Sequence, residues 1–377
     1  MKSEKKYVYK KKRMSFMVNY YVCATPYHII NSILIRNNYF DADYNIMLLT
    51  ENCRNADQLL GLMEQENIFD ECIYIDDSIL KKTEASFVKH YKKLLKRYLN
   101  ASLIDEFLKV KTAADRIIVF SFTMFNTLVQ SRFAEMKNDV EICVGEDGIR
   151  DYIYKDFGIS EPIWFKIIKL IRKCSGHPLI TLPSNDKRFL YKPQLREILY
   201  GDNKAINIIK SSDIRSNIGI INRIFRFSPE ADIKEKYIYF DSIYDVGLMK
   251  LQKQIISELN RRCDDFILKQ HPRNLDRYEG VRVYKYSYIP WEVICVNCDL
   301  NEKVLITVNS NACFSPKFML DCEPKVIFLY KLFFKGRQLA DTEKLIRLLK
   351  ESYVDKKKII IPGSLDELKI ILEECKR

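Results

Sequence analysis

Glycine and proline are scarce in this chain, eleven of each in 377 residues. That excludes a collagen-like repeat, a linker-rich array and a low-complexity disordered protein. Long apolar runs are missing too, and none reaches the roughly twenty residues that a bilayer span needs. The basic N-terminus is not followed by an apolar segment and cleavage site, so no secretory signal is expected. Dinucleotide, Walker-type and nucleophile-elbow motifs are all absent: there is no GxGxxG after the first strand, no GxxxxGK[ST] and no GxSxG. The single CxxC, Cys295-Val-Asn-Cys298, has neither a second pair nor a nearby histidine, so zinc is not expected. No Asp-X-Asp ends a strand, and Asp76-Asp77 and Asp264-Asp265 are weak candidates, so no metal site is assigned.

What is present describes a globular protein, with 47% hydrophobic and 30% charged residues. The length exceeds one ordinary core, so two domains are expected. Eleven scattered cysteines, an odd number, read as reduced thiols of a cytoplasmic protein. The net charge of +12 admits nucleic acid, an anionic membrane or an acidic substrate as partner. Much of it lies in Lys2–Arg13, with seven basic residues and one acidic, and in the 81–111 region around Lys89–Arg97. The second stretch has apolar residues at helical spacing. Its plain reading is a solvated helix face, and its functional one a basic amphipathic helix at the inner face of the cell membrane.

Along the chain, short apolar runs alternate with helical patterns. Residues 1–16 read as a basic extension, with Met14 and Met17 as further candidate starts. Strands are expected at 19–24, 45–50, 72–76, 116–121 and 140–145, with helices between them. Thr25-Pro26 opens the first helix as cap and first-turn proline. Residues 150–230 are less regular, with helix-like pieces at 164–173 and 204–210. The alternation restarts with strands at 236–240, 266–270, 281–284, 303–308, 325–329 and 358–362. This predicts an α/β protein of two Rossmann-like, doubly wound domains, 17–230 and 231–377, with a cleft between them.

Four polar clusters fall where strands end or helices begin. Glu146-Asp147-Gly148 follows the fifth strand. One carboxylate of the pair could act as general base, or the segment could be an ordinary turn. His271-Pro272-Arg273 follows Phe266–Gln270, where the proline ends the strand, so a histidine and an arginine stand at its carboxyl end, suited to an anionic leaving group. Pro290-Trp-Glu292 begins a helix, and Glu292 could accept from sugar hydroxyls or simply favour the dipole. Ser310-Asn311 opens another helix after a strand, as an anion site or a plain cap.

Carboxylate-Asp-Gly, then His-Pro, then Pro-X-Glu and a serine-bearing strand exit, in this order, resembles the bacterial sialyltransferases of glycosyltransferase family 52. Bacterial polysialyltransferases share the two main motifs. The resemblance runs from Cys23-Ala-Thr-Pro-Tyr27 to about Tyr330. It implies a GT-B fold, a CMP-sialic acid donor and no other cofactor. It also implies inversion at the anomeric carbon without a metal, and a galactose-terminated acceptor of a capsule or lipooligosaccharide. Glu146 or Asp147 would then be the base, with Asp245, then Asp241, as rivals. His271 would protonate or stabilise the departing phosphate. Ser310 would bind that phosphate with Arg273 assisting, while Glu292 holds the ribose. The family often has a serine or threonine pair where this chain has Ser310-Asn311. Pro272, Pro290 and Asn311 complete the donor side, and Thr25 and Pro26 the acceptor side. The alternatives are a sister transferase using a nucleotide-hexose, and a basic nucleic-acid-binding protein, for which no recognition module is evident. Oligomeric state is left open, a homodimer included.

Overall fold

The computed structural model describes residues 16–51, 53, 55–77, 101–121, 123–153, 163–177, 187–196 and 206–376. The basic residues 1–15 and most of the basic 81–111 region lie outside the described residues. Among the described residues, no helix is long and apolar enough to cross a membrane.

Two all-parallel sheets form the frame. The first has seven strands in the order β3-β2-β1-β4-β5-β6-β7. They are β1 (Val18–Cys23), β2 (Tyr44–Thr50), β3 (Glu71–Ile75), β4 (Arg116–Val119), β5 (Glu141–Gly145), β6 (Arg188–Leu190) and β7 (Ile206–Ile208). The second has five, β12-β11-β10-β8-β9. These are β8 (Tyr237–Phe240), β9 (Phe266–Lys269), β10 (Val304–Thr307), β11 (Lys325–Phe328) and β12 (Ile359–Ile360). The strands are short and apolar on both faces because helices cover both sides of each sheet. In each sheet the strand order reverses once, between β1 and β4 and between β8 and β10. A crevice at the carboxyl ends of the strands, at such a reversal, is where open α/β sheets bind ligands.

Local chemistry sets the helix starts. The Thr25 hydroxyl accepts from His28 N–H (3.2 Å) and Pro26 fills the first turn of helix Pro26–Tyr39. Three expectations are corrected. Residues 204–210, read as helix-like, contain strand β7 instead, and β6 and β7 extend the first sheet. Residues 281–284 form no strand; only an isolated bridge joins Val283 to Leu268. The segment after Ser310 is a 3-10 turn, Asn311–Cys313, then a six-residue helix, Ser315–Leu320, rather than one continuous helix.

Helix Ser211–Ile224 packs on helix Pro26–Tyr39 of the first domain and on helices Trp291–Asn297 and Ser315–Leu320 of the second. Asn222 and Asn297 exchange amide hydrogen bonds of 2.8 and 2.7 Å across that junction.

Gly145, at the end of β5, faces the Phe120 ring so closely that a Cβ would overlap it. Phe120 in turn stacks on His28, with ring centroids 4.7 Å apart and planes 13° from parallel. Gly145→Ala is therefore expected to lower stability by about 1–3 kcal/mol through overpacking. Urea denaturation checks this, and an unchanged midpoint would contradict the packing described.

Candidate functional site

A cavity of about 530 Å³ lies between the two sheets, lined from both sides of the chain. The first domain contributes Thr25, Pro26, Tyr27 and Gln58; the second contributes Asp241, Lys269, His271, Pro272, Arg273, Pro290, Glu292 and Ser310. Both strand-order reversals open onto it. Thr25, Pro26, His271, Pro272, Arg273, Pro290, Glu292 and Ser310, scattered over nearly 300 residues of sequence, are thus brought to one wall or the other.

The adjacent carboxylates Glu146 and Asp147 have opposite surroundings. Glu146 is 1% exposed. It accepts from the hydroxyls of Tyr27 (2.9 Å) and Tyr152 and from the N–H of Tyr191 (2.9 Å). Its carbonyl accepts from Asn31 Nδ2 at 2.8 Å. Burial pushes its carboxyl up to about 7, against the pull of those hydrogen bonds. A group this enclosed is placed to hold structure together.

Asp147 is 38% exposed, and its Oδ1 lies 2.6 Å from His28 Nε2. Asp147, like Asp245, is not among the residues lining the cavity, but its loop adjoins residues next to that wall. His28 follows the cavity residue Tyr27, and Gly148, at φ 122°, lies against Asn311, the neighbour of Ser310. His28 is 2% exposed, and its Nδ1 accepts from Ala24 N–H at 3.1 Å. Nε2 therefore carries the proton and donates it to Asp147. Both ring nitrogens are engaged, and among the described residues the second carboxylate oxygen of Asp147 has no hydrogen-bond partner. Sequence reasoning missed His28. Its position in the first turn after β1 was the available signal, but its partner lies 119 residues away.

Asp241 and Asp245, the rival bases, are placed elsewhere in the chemistry. Asp241 is buried. It accepts from His271 N–H, from Asn274 Nδ2 (2.6 Å) and from the Tyr278 hydroxyl (2.9 Å). Burial raises its carboxyl. It fastens the 271–278 loop at the cavity wall. Asp245 is the exposed N-cap of helix Val246–Arg262, accepting from Leu248 N–H at 3.0 Å, and is not part of the cavity wall.

His271 Nδ1 accepts from Arg273 N–H at 3.2 Å. Burial lowers its affinity for a proton. With Nδ1 engaged, Nε2 is the ring nitrogen left to meet a ligand.

Lys269 and Glu292 form the floor beside it. Burial brings the Lys269 ammonium down to about 8, with Glu292 opposing. Its Nζ donates to Ile289 O at 3.3 Å. Burial raises the Glu292 carboxyl, which accepts from Ser315 Oγ at 3.3 Å. Lys269 was not singled out in the sequence because a lysine ending a strand looks solvated. The Ser310 hydroxyl accepts from Ala312 N–H at 3.3 Å, a plain cap. Because only a 3-10 turn and a short helix follow, no strong helix dipole stands behind it.

Glu146 has a testable pH signature. Unfolded, a glutamate titrates near about 4.3; folded, this one titrates near about 7. The folded state binds the extra proton between those values. The stability this group contributes is full below about 4.3 and is lost as pH rises through about 7, at up to about 1.4 kcal/mol per pH unit. The melting temperature of the wild type is expected to fall, relative to Glu146→Gln, between about pH 5 and pH 8. A constant difference across that range would overturn the assignment.

No protein-family model matches the chain, and no curated protein matches it. Solved structures do match. The glycotransferase of kitacinnamycin superposes with a TM-score of 0.54 at 10% identity, covering 96% of this chain and 90% of that one. Spinosyn forosaminyltransferase SpnP gives 0.50 at 8% identity, covering 95% and 91%. The likeness is one of fold, and it makes this chain a pair of parallel-sheet α/β domains of the GT-B type.

Proposed function

We propose that the protein is an inverting glycosyltransferase that uses a nucleotide-sugar donor and no catalytic metal, with CMP-sialic acid as the donor and a surface glycan as the acceptor. One observation carries the reading. A cavity between two sheets presents an imidazole N–H, a guanidinium and a serine hydroxyl from the second domain, and its first-domain lining residue Tyr27 bonds Glu146, the neighbour of the exposed, His28-held carboxylate Asp147. The CMP choice rests on the motif resemblance.

Transfer of this kind passes through an oxocarbenium-like state, with one base and one stabilised leaving group on opposite faces of the sugar. Asp147, oriented through Oδ1 by His28, takes the acceptor hydroxyl proton on its other oxygen. His271 Nε2–H donates to a phosphate oxygen of the departing CMP, and Arg273 supplies positive charge. Glu292 accepts from the ribose. The site lies between two domains, so closing them excludes water and limits donor hydrolysis. A nucleotide-hexose donor is the second reading, because a glycotransferase and a forosaminyltransferase share this fold.

The deciding experiment is a donor screen with EDTA present: CMP-sialic acid against UDP- and GDP-sugars, lactose as acceptor, following nucleotide release. Release of CMP is expected. Release of UDP or GDP alone moves the protein to the second reading, and failure to bind any free nucleotide ends both.

Two site variants follow. His271→Ala is expected to lose about 100-fold to 1,000-fold in kcat, while His271→Gln, which keeps a neutral N–H donor, retains part of it. Equal loss in both would point to a proton-donating histidine instead. Asp147→Asn is expected to abolish transfer while CMP affinity stays unchanged and Asp245→Asn remains active. The reverse pattern would move the base to Asp245.

A further inference from the structure

Helix Ser211–Ile224 ends in an unusual way. Phe225 is its cap, Arg226 N–H bonds to Arg223 O (3.3 Å) and Phe227 N–H to Asn222 O (2.9 Å). This double closure is the Schellman turn, whose residue after the cap takes left-handed backbone geometry and is usually glycine. Here it is Arg226, at φ 50°. A side chain at that position costs free energy that glycine would not. Such strain persists where the side chain is needed.

The Arg226 side chain lines the same cavity as Arg273. Gln58, with its amide oxygen turned to the guanidinium, accepts from both Nη1 and Nη2, the latter at 3.0 Å. That partner is neutral. Among the described residues, no carboxylate forms an ion pair with Arg226 or Arg273, whereas Arg223, three residues before Arg226, is paired with Glu66. The cavity's own carboxylates are engaged elsewhere: Asp241 by the 271–278 loop, Glu292 by Ser315 and the neighbouring Lys269. The pocket thus offers two guanidiniums from separate segments of the chain, neither of them ion-paired among the described residues.

The geometry points to Arg226 as the residue that binds a second anionic group of the ligand, the carboxylate of the transferred sugar, while His271 and Arg273 take the phosphate. The ligand class is a nucleoside monophosphate ester of a sugar acid. An arginine suits this task because its planar fork pairs with a carboxylate in two parallel hydrogen bonds. This assignment rests on the function proposed above and sharpens it, since a nucleotide-hexose carries no such carboxylate.

The test separates strain from binding. Arg226→Gly restores the residue that the turn prefers, so its melting temperature is expected to equal or exceed the wild type. Calorimetric titration then compares CMP with CMP-sialic acid, the latter as its 3-fluoro analogue to slow turnover. The wild type is expected to bind the sugar nucleotide more tightly than CMP. In Arg226→Gly, CMP affinity is expected to stay within about twofold, while affinity for the CMP-sialic acid analogue falls at least tenfold. Arg226→Gln, which keeps the length but not the charge, is expected to lose affinity in the same selective way. Unchanged affinity for the analogue in both variants, or equal loss of CMP and analogue, would overturn the assignment while leaving the transferase reading intact. Absence of any cytidine-nucleotide binding to the wild type would instead sink the donor assignment, and this inference with it.

Discussion

The first wall of the cavity depends on one buried carboxylate. Taking Glu146 out of water is costly, and the hydrogen bonds of Tyr27, Tyr152 and Tyr191 offset that cost. These partners come from the first helix, from the turn after β5 and from the segment after β6. One side chain therefore fixes three pieces of chain that have no sequence proximity. Asp147 is the next residue, so its place behind the Tyr27 wall, and its meeting with His28, follow from how firmly Glu146 is held.

The second wall repeats the device. Asp241 follows β8 as Glu146 follows β5, both are buried, and both gather hydrogen-bond donors from a loop that ends in chemistry. In one case the exposed product is Asp147, in the other His271. A carboxylate suits this task because it accepts several hydrogen bonds and brings no competing donor. Each domain thus holds its candidate site loop with a buried carboxyl group, and burial raises the proton affinity of both holders.

This arrangement explains what the sequence did and did not reveal. Strands such as Tyr237–Phe240 and Val304–Thr307 are unbroken apolar runs, legible because they are buried on both faces. Arg188–Leu190 and Ile206–Ile208 are three residues each, too short for a pattern, and one was read as helical. The motif residues His271, Arg273, Glu292 and Ser310 were legible because each stands at an element boundary where backbone chemistry is visible. Glu146, Asp147, Asp241 and Asp245 were not separable. Which of two neighbouring carboxylates turns inward depends on tyrosines up to 119 residues distant. Asp245 looks catalytic in a loop and is a helix cap, which the residue type permits equally. His28 and Arg226 left no motif at all, since one depends on a distant partner and the other on a backbone angle.

The helix Ser211–Ile224 gives the molecule a stiff strut. It is bonded to the first domain through Asn37–Asn217 and Glu66–Arg223, and to the second through Asn222–Asn297. Loops stretch, but helices slide. The walls can separate or approach only by shearing side chains along this helix or by giving up one of those polar links. The gap between the sheets is therefore a mechanical property with preferred settings, and the traffic of ligands through it is paced by the breaking of a few bonds and not by the free drift of two tethered bodies.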